Sequence, residues 1–472
     1  MTTTSQLDPV REPRVRRAVP VWLALLAASV PMFMATLDNL VMTSALPVIQ
    51  ADLGASVGQL QWFMNAYTLT FATFMLAAAG LGDRWGRRRM FVIGIAVFTA
   101  ASIGAALSSG PGTLIVARAV QGLGAAAIMP LSLALLAGAV PVAKRALAIG
   151  VWGGVSGLGV ALGPVIGGAV VDGVSWQAIF WLNVPVAVIA IPLVYLALED
   201  SRGARQRLDL VGVALAGIGV FLGVWGIVHG NDDGWGSAGV VGTLIASALV
   251  LAGFIAWERR SPNPVMPMRL FRSKSFTMAN IIGVTFSLGI FGAVFLLVQY
   301  LQVVMGYSPF EAGVRTLPWT AAPMIVAPLA GLLAPRLGLR ALLVAGLTLQ
   351  AGSLVWLAVL LTPGATYLGM VPALVMAGVG MGLTFAPSAT AVLVDMADAD
   401  HATASSVNST FREVGIALGI AVLTAVFLGY GGVISPAGYD TALRPALLVG
   451  AGVIGLGIFA ALWMPSRRSQ QV

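Results

Sequence analysis

The sequence contains no cysteine, only two lysines and two histidines, and charged residues fill just 9% of its 472 positions. The missing thiols exclude disulfides, cysteine nucleophiles and cysteine-held metals, and they remove cysteine as a clue to compartment. Neither Lys144 nor Lys274 stands in a GxxxxGK[ST] context, so no P-loop ATPase is encoded. His229 with Asp232 and Asp233 could suggest a metal, but a loop trio without a further ligand reads as a turn, and no metal is expected. A membrane enzyme or sensor would need a catalytic constellation or a soluble module, and neither stands out.

What the chain has instead is apolar surface. Hydrophobic residues make up 58% of it, and runs of about twenty recur, the length that crosses a bilayer. Fourteen spans begin near Val21, Gln61, Met90, Thr113, Ala146, Ala178, Leu210, Gly236, Phe276, Ala312, Ala341, Tyr367, Ala404 and Thr441. The basic arm at 1–20 leads into an apolar run with no convincing cleavage site, which predicts an uncleaved first span. The two most polar linkers, EDSRGARQRLD at 199–209 and WERRSPNPVMPMRLFRSK at 257–274, set spans 7 and 8 apart.

Charge placement orients the chain. An even span count puts both termini on one side, and 22 of the 26 lysines and arginines then fall on that side. Arg315 and Arg444 fall in opposite loops, while Arg118 and Arg412 lie inside spans. The positive-inside rule places both termini in the cytoplasm of the inner (plasma) membrane. The net charge of +8 then describes a face resting on anionic lipid, a better reading than nucleic-acid binding.

An internal repeat is visible. AGLGDRWGRR at 79–88 is echoed by GLLAPRLGLR at 331–340, and GVALG at 159–163 by GIALG at 415–419. The offsets, 252 and 256 positions, support one duplication of six spans, with spans 7 and 8 inserted between the copies. Repeats flanking a central site are a recurring transporter plan. GVGMG at 378–382 lies inside an apolar span with no soluble strand before it, so a dinucleotide loop is a poor reading. A secondary transporter, driven by an ion or substrate gradient, remains.

Several motifs now resemble the major facilitator superfamily, in particular its fourteen-span drug/proton antiporter branch. AGLGDRWGRRR (79–89) is similar to the signature between spans 2 and 3, although Ala79 replaces a glycine. LIVARAVQGLGAAA (114–127) is similar to the span-4 motif with its membrane arginine at Arg118. GVALGPVIGG (159–168) is similar to the span-5 antiporter motif, and LDNLVMTSALP (37–47) to the span-1 motif centred on Asp38. SWQAIFWLNVP (175–185) fits with Gln177 in place of arginine. The resemblance covers essentially the whole chain. It implies an all-α polytopic fold with an N-terminal bundle at 21–200, an inserted pair at 201–260, a C-terminal bundle at 261–465 and a tail at 466–472. It further implies a proton-driven exporter of amphiphilic drugs or antibiotics, or a dedicated exporter of one metabolite, without a cofactor and functional as a monomer.

Residue expectations follow. Asp38 is the one mid-span carboxylate of the first half, and either carries a proton or forms a structural ion pair with Arg118. Arg412 and Glu413, on neighbouring faces of span 13, form either an ion pair or a cation or proton site. Gly159, Gly163 and Gly167, beside Pro164 and Gly168, make a smooth stripe, read either as tight helix packing or, by the resemblance, as the sliding seam between halves. The resemblance also places Asp83 at the start of span 13, near Ala404 to Val407, in a gate with Arg84, Gly86, Arg87 and Arg88. The acidic loop at 394–401 is expected to pair with the arginines at 87–89. A cavity for hydrophobic or cationic compounds draws on Met34, Trp62, Asn65, Tyr67, Gln121, Trp152, Gln299, Trp319 and Asn408.

Overall fold

The computed structural model describes residues 20–203, 208–361, 365–397, 400–433 and 435–465. Residues 1–19 of the expected arm at 1–20 and the tail at 466–472 lie outside the described residues, as do Arg205, Arg207 and Asp398. Among the described residues, fourteen helices are long and apolar enough to span a bilayer. Spans 1–7 are Val21–Leu53, Val57–Trp85, Arg87–Ala106, Pro111–Ala139, Val142–Gly173, Ala178–Ala197 and Leu210–His229. Spans 8–14 are Ala238–Glu258, Lys274–Val303, Pro309–Leu337, Leu339–Leu360, Tyr367–Ala391, His401–Gly429 and Pro436–Trp463. A helix satisfies its own backbone inside lipid, which is why apolar runs of this length settle into it.

Spans 2, 9, 10 and 14 start before the hydropathy signal does, because a serine caps each of their first turns. Span 2 opens on a capping box between Ser56 and Gln59, and span 10 on one between Ser308 and Glu311. Gly86 (φ 114°) and Gly338 (φ 83°) each break the chain for one residue between consecutive spans. These two glycines stand 252 positions apart, so the repeat read in sequence recurs as backbone geometry that only glycine adopts freely. Span 6 is interrupted at Leu182, and span 10 breaks at Ala321 between Pro318 and Pro323.

Spans 1–6 pack together, chiefly span 2 on 4, 3 on 4 and 1 on 5. Spans 9–14 form the second bundle, chiefly 9 on 13, 9 on 14, 11 on 12 and 11 on 14. Span 7 lies against both span 2 and span 13, over the line where the bundles meet, and span 8 rests on span 7. The ring of Trp62 is 5.4 Å from that of Phe221, and the Asn231 amide donates to the Ala425 carbonyl at 2.7 Å.

The opposite seam, between spans 5 and 10, is closed at one end only. The half of span 10 at Pro309–Thr320 packs along span 5, whereas the half at Ala322–Leu337 barely touches it. Near the closed end, Asp172 accepts from the Ser308 hydroxyl at 2.6 Å and the Phe310 N–H at 2.9 Å, and Gln302 donates to the Ser44 carbonyl at 3.0 Å. Toward the other end, Gly150, Gly153, Gly154 and Gly157 face open space. This open end is the face where span 1 begins and span 14 finishes.

Candidate functional site

Asp38 sits at the middle of span 1, buried, and three neighbouring helices converge on it. Its Oδ2 takes the Arg118 guanidinium of span 4 at 2.5 Å. Its Oδ1 accepts from the amides of Gln121 (span 4) at 2.8 Å and Asn183 (span 6) at 2.7 Å. Both amides also donate to the hydroxyl of Ser102 on span 3. Arg118 further donates to the Phe63 carbonyl at 3.0 Å and the Gln121 side-chain oxygen at 2.8 Å, and lies over the Tyr67 ring at 4.4 Å. The ion pair therefore exists, and its net charge is neutral. An isolated charge at this depth costs at least about 2.5 kcal/mol, and breaking such a pair costs about 3–5.

Tyr67 lies under the Arg118 guanidinium, and its hydroxyl donates to the Ala35 carbonyl of span 1 at 3.1 Å. One Glu413 oxygen is buried with no hydrogen-bond partner. Of the two readings for these neighbours, no ion pair joins Glu413 to Arg412 among the described residues, although each is a charge acting on the other. Arg412 instead lies over the Phe385 ring at 4.0 Å.

The glycine stripe corrects an expectation. Gly159, Gly163 and Gly167 face Thr36, Leu40 and Val41 of span 1, inside their own bundle. A Cβ at Gly163 would stand 2.5 Å from that of Leu40, and one at Gly167 would stand 2.7 Å from the Val41 carbonyl oxygen. The seam between halves is made by the next face of the helix. Gly168 abuts the backbone of Pro309, and the Pro164 and Val165 backbone abuts Gly313.

The gate residues also sit elsewhere in this conformation. Asp83 pairs with Arg87 at 2.6 Å and crowds Gly203, away from the start of span 13. The Arg88 N–H donates to Asp200 at 3.0 Å, and its guanidinium to the Leu198 carbonyl at 3.0 Å. Gly86 is where Asp200 comes close: a Cβ there would stand 2.5 Å from its carboxylate. The linker after span 6 thus holds the loop that was expected to reach span 13. The acidic loop pairs within its own half, Asp400 with Arg269 at 2.6 Å and Asp395 with Ser273 at 2.9 Å. Hydrogen bonds from Arg269 hold the Asp400 carboxyl below the usual range. Arg84 is exposed.

The expected cavity residues do not share one wall. Met34 is core, Trp62 faces the inserted span 7, and Gln121 belongs to the ion cluster. The Trp152 indole donates to Ser132 at 3.1 Å, and Gln299 bonds its own helix near the closed end. Trp319 is buried at the break in span 10. Asn65 is buried with neither amide atom bonded, and Asn408 donates to Asn280 at 3.2 Å. Ser102, Asn183 and Asp172 were not singled out by sequence; an isolated polar residue inside an apolar run was the available signal for the first two.

Residues 28–420 match the sequence pattern of the Major Facilitator Superfamily. The chain is 36% identical over 424 residues to a tetracenomycin C resistance and export protein of Streptomyces glaucescens, covering 88% of this chain and 77% of that one. It is 36% identical to the multidrug resistance protein Stp of Mycobacterium tuberculosis, over 86% of this chain and 76% of that one. A methylenomycin A resistance protein of Streptomyces coelicolor is 35% identical, over 96% and 95% of the respective chains. Among solved structures, a peptide transporter POT in complex with sulfate shares the fold, with a TM-score of 0.68 at 17% identity over 93% of this chain and 95% of that one.

Proposed function

The chain belongs to the major facilitator superfamily, and on that premise we propose that it is a proton-driven exporter of amphiphilic small molecules, drugs or antibiotics among them. Membership makes it a transporter and not an enzyme. The observation that carries the proton-coupled reading is the Asp38–Arg118 cluster. A carboxylate whose charge is balanced by one arginine is a two-position device: a proton on Asp38 releases Arg118, and its departure restores the pair. Glu413, with its unpartnered oxygen in the other half, is the second acid placed to take part.

The basic face is the cytoplasmic one in this reading, so the described conformation is open to the cytoplasm, where an exporter loads. Alternating access then requires the Asp172 contacts at the far end to break and the near ends of spans 5 and 10 to meet. A dedicated exporter of one metabolite is the second reading. It is favoured by relatives whose names specify one compound, such as a cephamycin export protein of Amycolatopsis lactamdurans, 35% identical over 92% of this chain and 90% of that one.

The test is a panel of structurally unrelated antibiotics and dyes given to cells with and without the protein. Reduced accumulation of several compounds, restored by a protonophore, is the expected outcome. Protection against a single compound moves the reading to the dedicated exporter, and efflux indifferent to the protonophore removes proton coupling.

A further inference from the structure

Arg118 and Arg412, the two arginines that the sequence places inside its apolar runs, are treated by the structure in opposite ways. Arg118 spends its guanidinium on Asp38, Gln121, the Phe63 carbonyl and the face of Tyr67. Arg412, eleven residues into span 13 and so about 17 Å from its start, makes no hydrogen bond and no ion pair among the described residues. Its contact is with the Phe385 ring of span 12, at 4.0 Å. Glu413, the next residue, points about 100° away around the helix and acts on Arg412 as a neighbouring charge from beyond ion-pair distance.

The surroundings seat this cation without a direct ion-pair partner among the described residues. Its stem crosses span 9 at Gly283, where a Cβ would stand 3.3 Å from Arg412 Cγ. One turn earlier, Asn408 and Asn280 face each other at 3.2 Å and add amide groups beside it. Phe385 meets Phe286 edge-on at 6.3 Å, extending an aromatic wall on the other side. Arg412 as a residue is partly buried, and the planar donors of its guanidinium match a carboxylate in bidentate fashion. A cation held inside a membrane at such cost, with its donors unspent, has a use for them.

We propose that Arg412 binds the acidic group of an exported amphiphile, so that the protein takes organic acids carrying an aromatic body. This rests on the exporter reading for its direction of transport, and it replaces the cationic cargo suggested by aromatic and methionine content with an anionic one. Phe385 stacks or edges against the aromatic body with the buried Phe286 behind it, and the bonded pair Asn280 and Asn408 supports the stem of Arg412.

The experiment uses the full chain in lipid nanodiscs and three probes of one shape: naphthoic acid, its methyl ester and a naphthylmethyl trimethylammonium. Binding is followed by quenching of intrinsic tryptophan fluorescence. The wild-type protein is expected to hold the acid about tenfold more tightly than the ester, as a charge-assisted pair allows. Arg412→Gln should abolish that preference while leaving ester affinity unchanged, and Arg412→Lys should keep part of it. Equal affinity for acid and ester in the wild type, preference for the ammonium, binding of none of the three, or an equal loss of acid and ester in Arg412→Gln would each overturn the proposal. Acid binding without protonophore-sensitive efflux in the cell panel would instead remove the exporter reading and leave this site standing.

Discussion

Asp38 is a charge that lipid alone would expel, and the surrounding residues show how it is retained. Three side chains donate to its two oxygens, and Ser102 joins two of those donors to each other. Each buried donor left unmatched costs about 1–3 kcal/mol, more than a typical net hydrogen bond contributes. Asn183→Ala should therefore lower the thermal unfolding midpoint of the detergent-solubilised protein, because both Asp38 and Ser102 lose a donor. An unchanged midpoint would mean the Asn183 amide does not hold the carboxylate. Asp38 and Arg118 were legible in sequence because a lone charge inside an apolar run has few innocent explanations. Ser102 and Asn183 were not, since a serine and an asparagine acquire meaning only from partners 81 positions apart in the chain. Gln121 was noticed for its polarity and assigned to the cavity, yet its amide is spent on Asp38.

At the level of helices, span 5 carries two different surfaces one residue apart. The stripe Gly159, Gly163 and Gly167 lets span 1 approach within its own bundle, while Gly168 and the Pro164 backbone receive span 10 from the other. The four-residue spacing was legible as a packing stripe, but spacing alone cannot say which helix arrives. Gly163→Leu should lower abundance and transport in proportion, since a side chain there collides with Leu40 in every conformation that keeps the bundle intact. Gly168→Val should keep abundance and lose abundance-corrected transport, because it obstructs the contact with Pro309 only when the far end is closed. An Ala312→Cys reporter, buried in this conformation and free of competing native thiols, would then be labelled faster from outside by an impermeant maleimide. Equal loss of abundance and transport in both variants would make the whole motif a folding element. The glycine hinges at Gly86 and Gly338 belong to the same scale. The repeat predicted them as a pair, and their positive φ gives the physical reason.

Across the molecule, two seams join the bundles and they are not equivalent. Spans 2 and 13 meet beneath span 7, whereas spans 5 and 10 meet with no inserted span over them, closed at one end by Asp172 on Ser308 and Phe310. The span count and the insertion were legible because hydropathy and the repeat offset are properties of the chain alone. The conformation was not, since Asp83 serves Arg87 and the post-span-6 linker here and would have to change partners when this end closes. The proposed proton coupling would act across both bundles. One proton entering across 100 mV releases about 2.3 kcal/mol, enough to hold a neutral cargo against a gradient of about fiftyfold. The direct measurement is cargo movement in proteoliposomes carrying Asp38→Asn, driven by an imposed pH gradient and, separately, by cargo exchange at equal pH. Loss of gradient-driven accumulation with exchange retained is the predicted result. Uphill accumulation that persists in Asp38→Asn would contradict the account and move the coupling acid to Glu413.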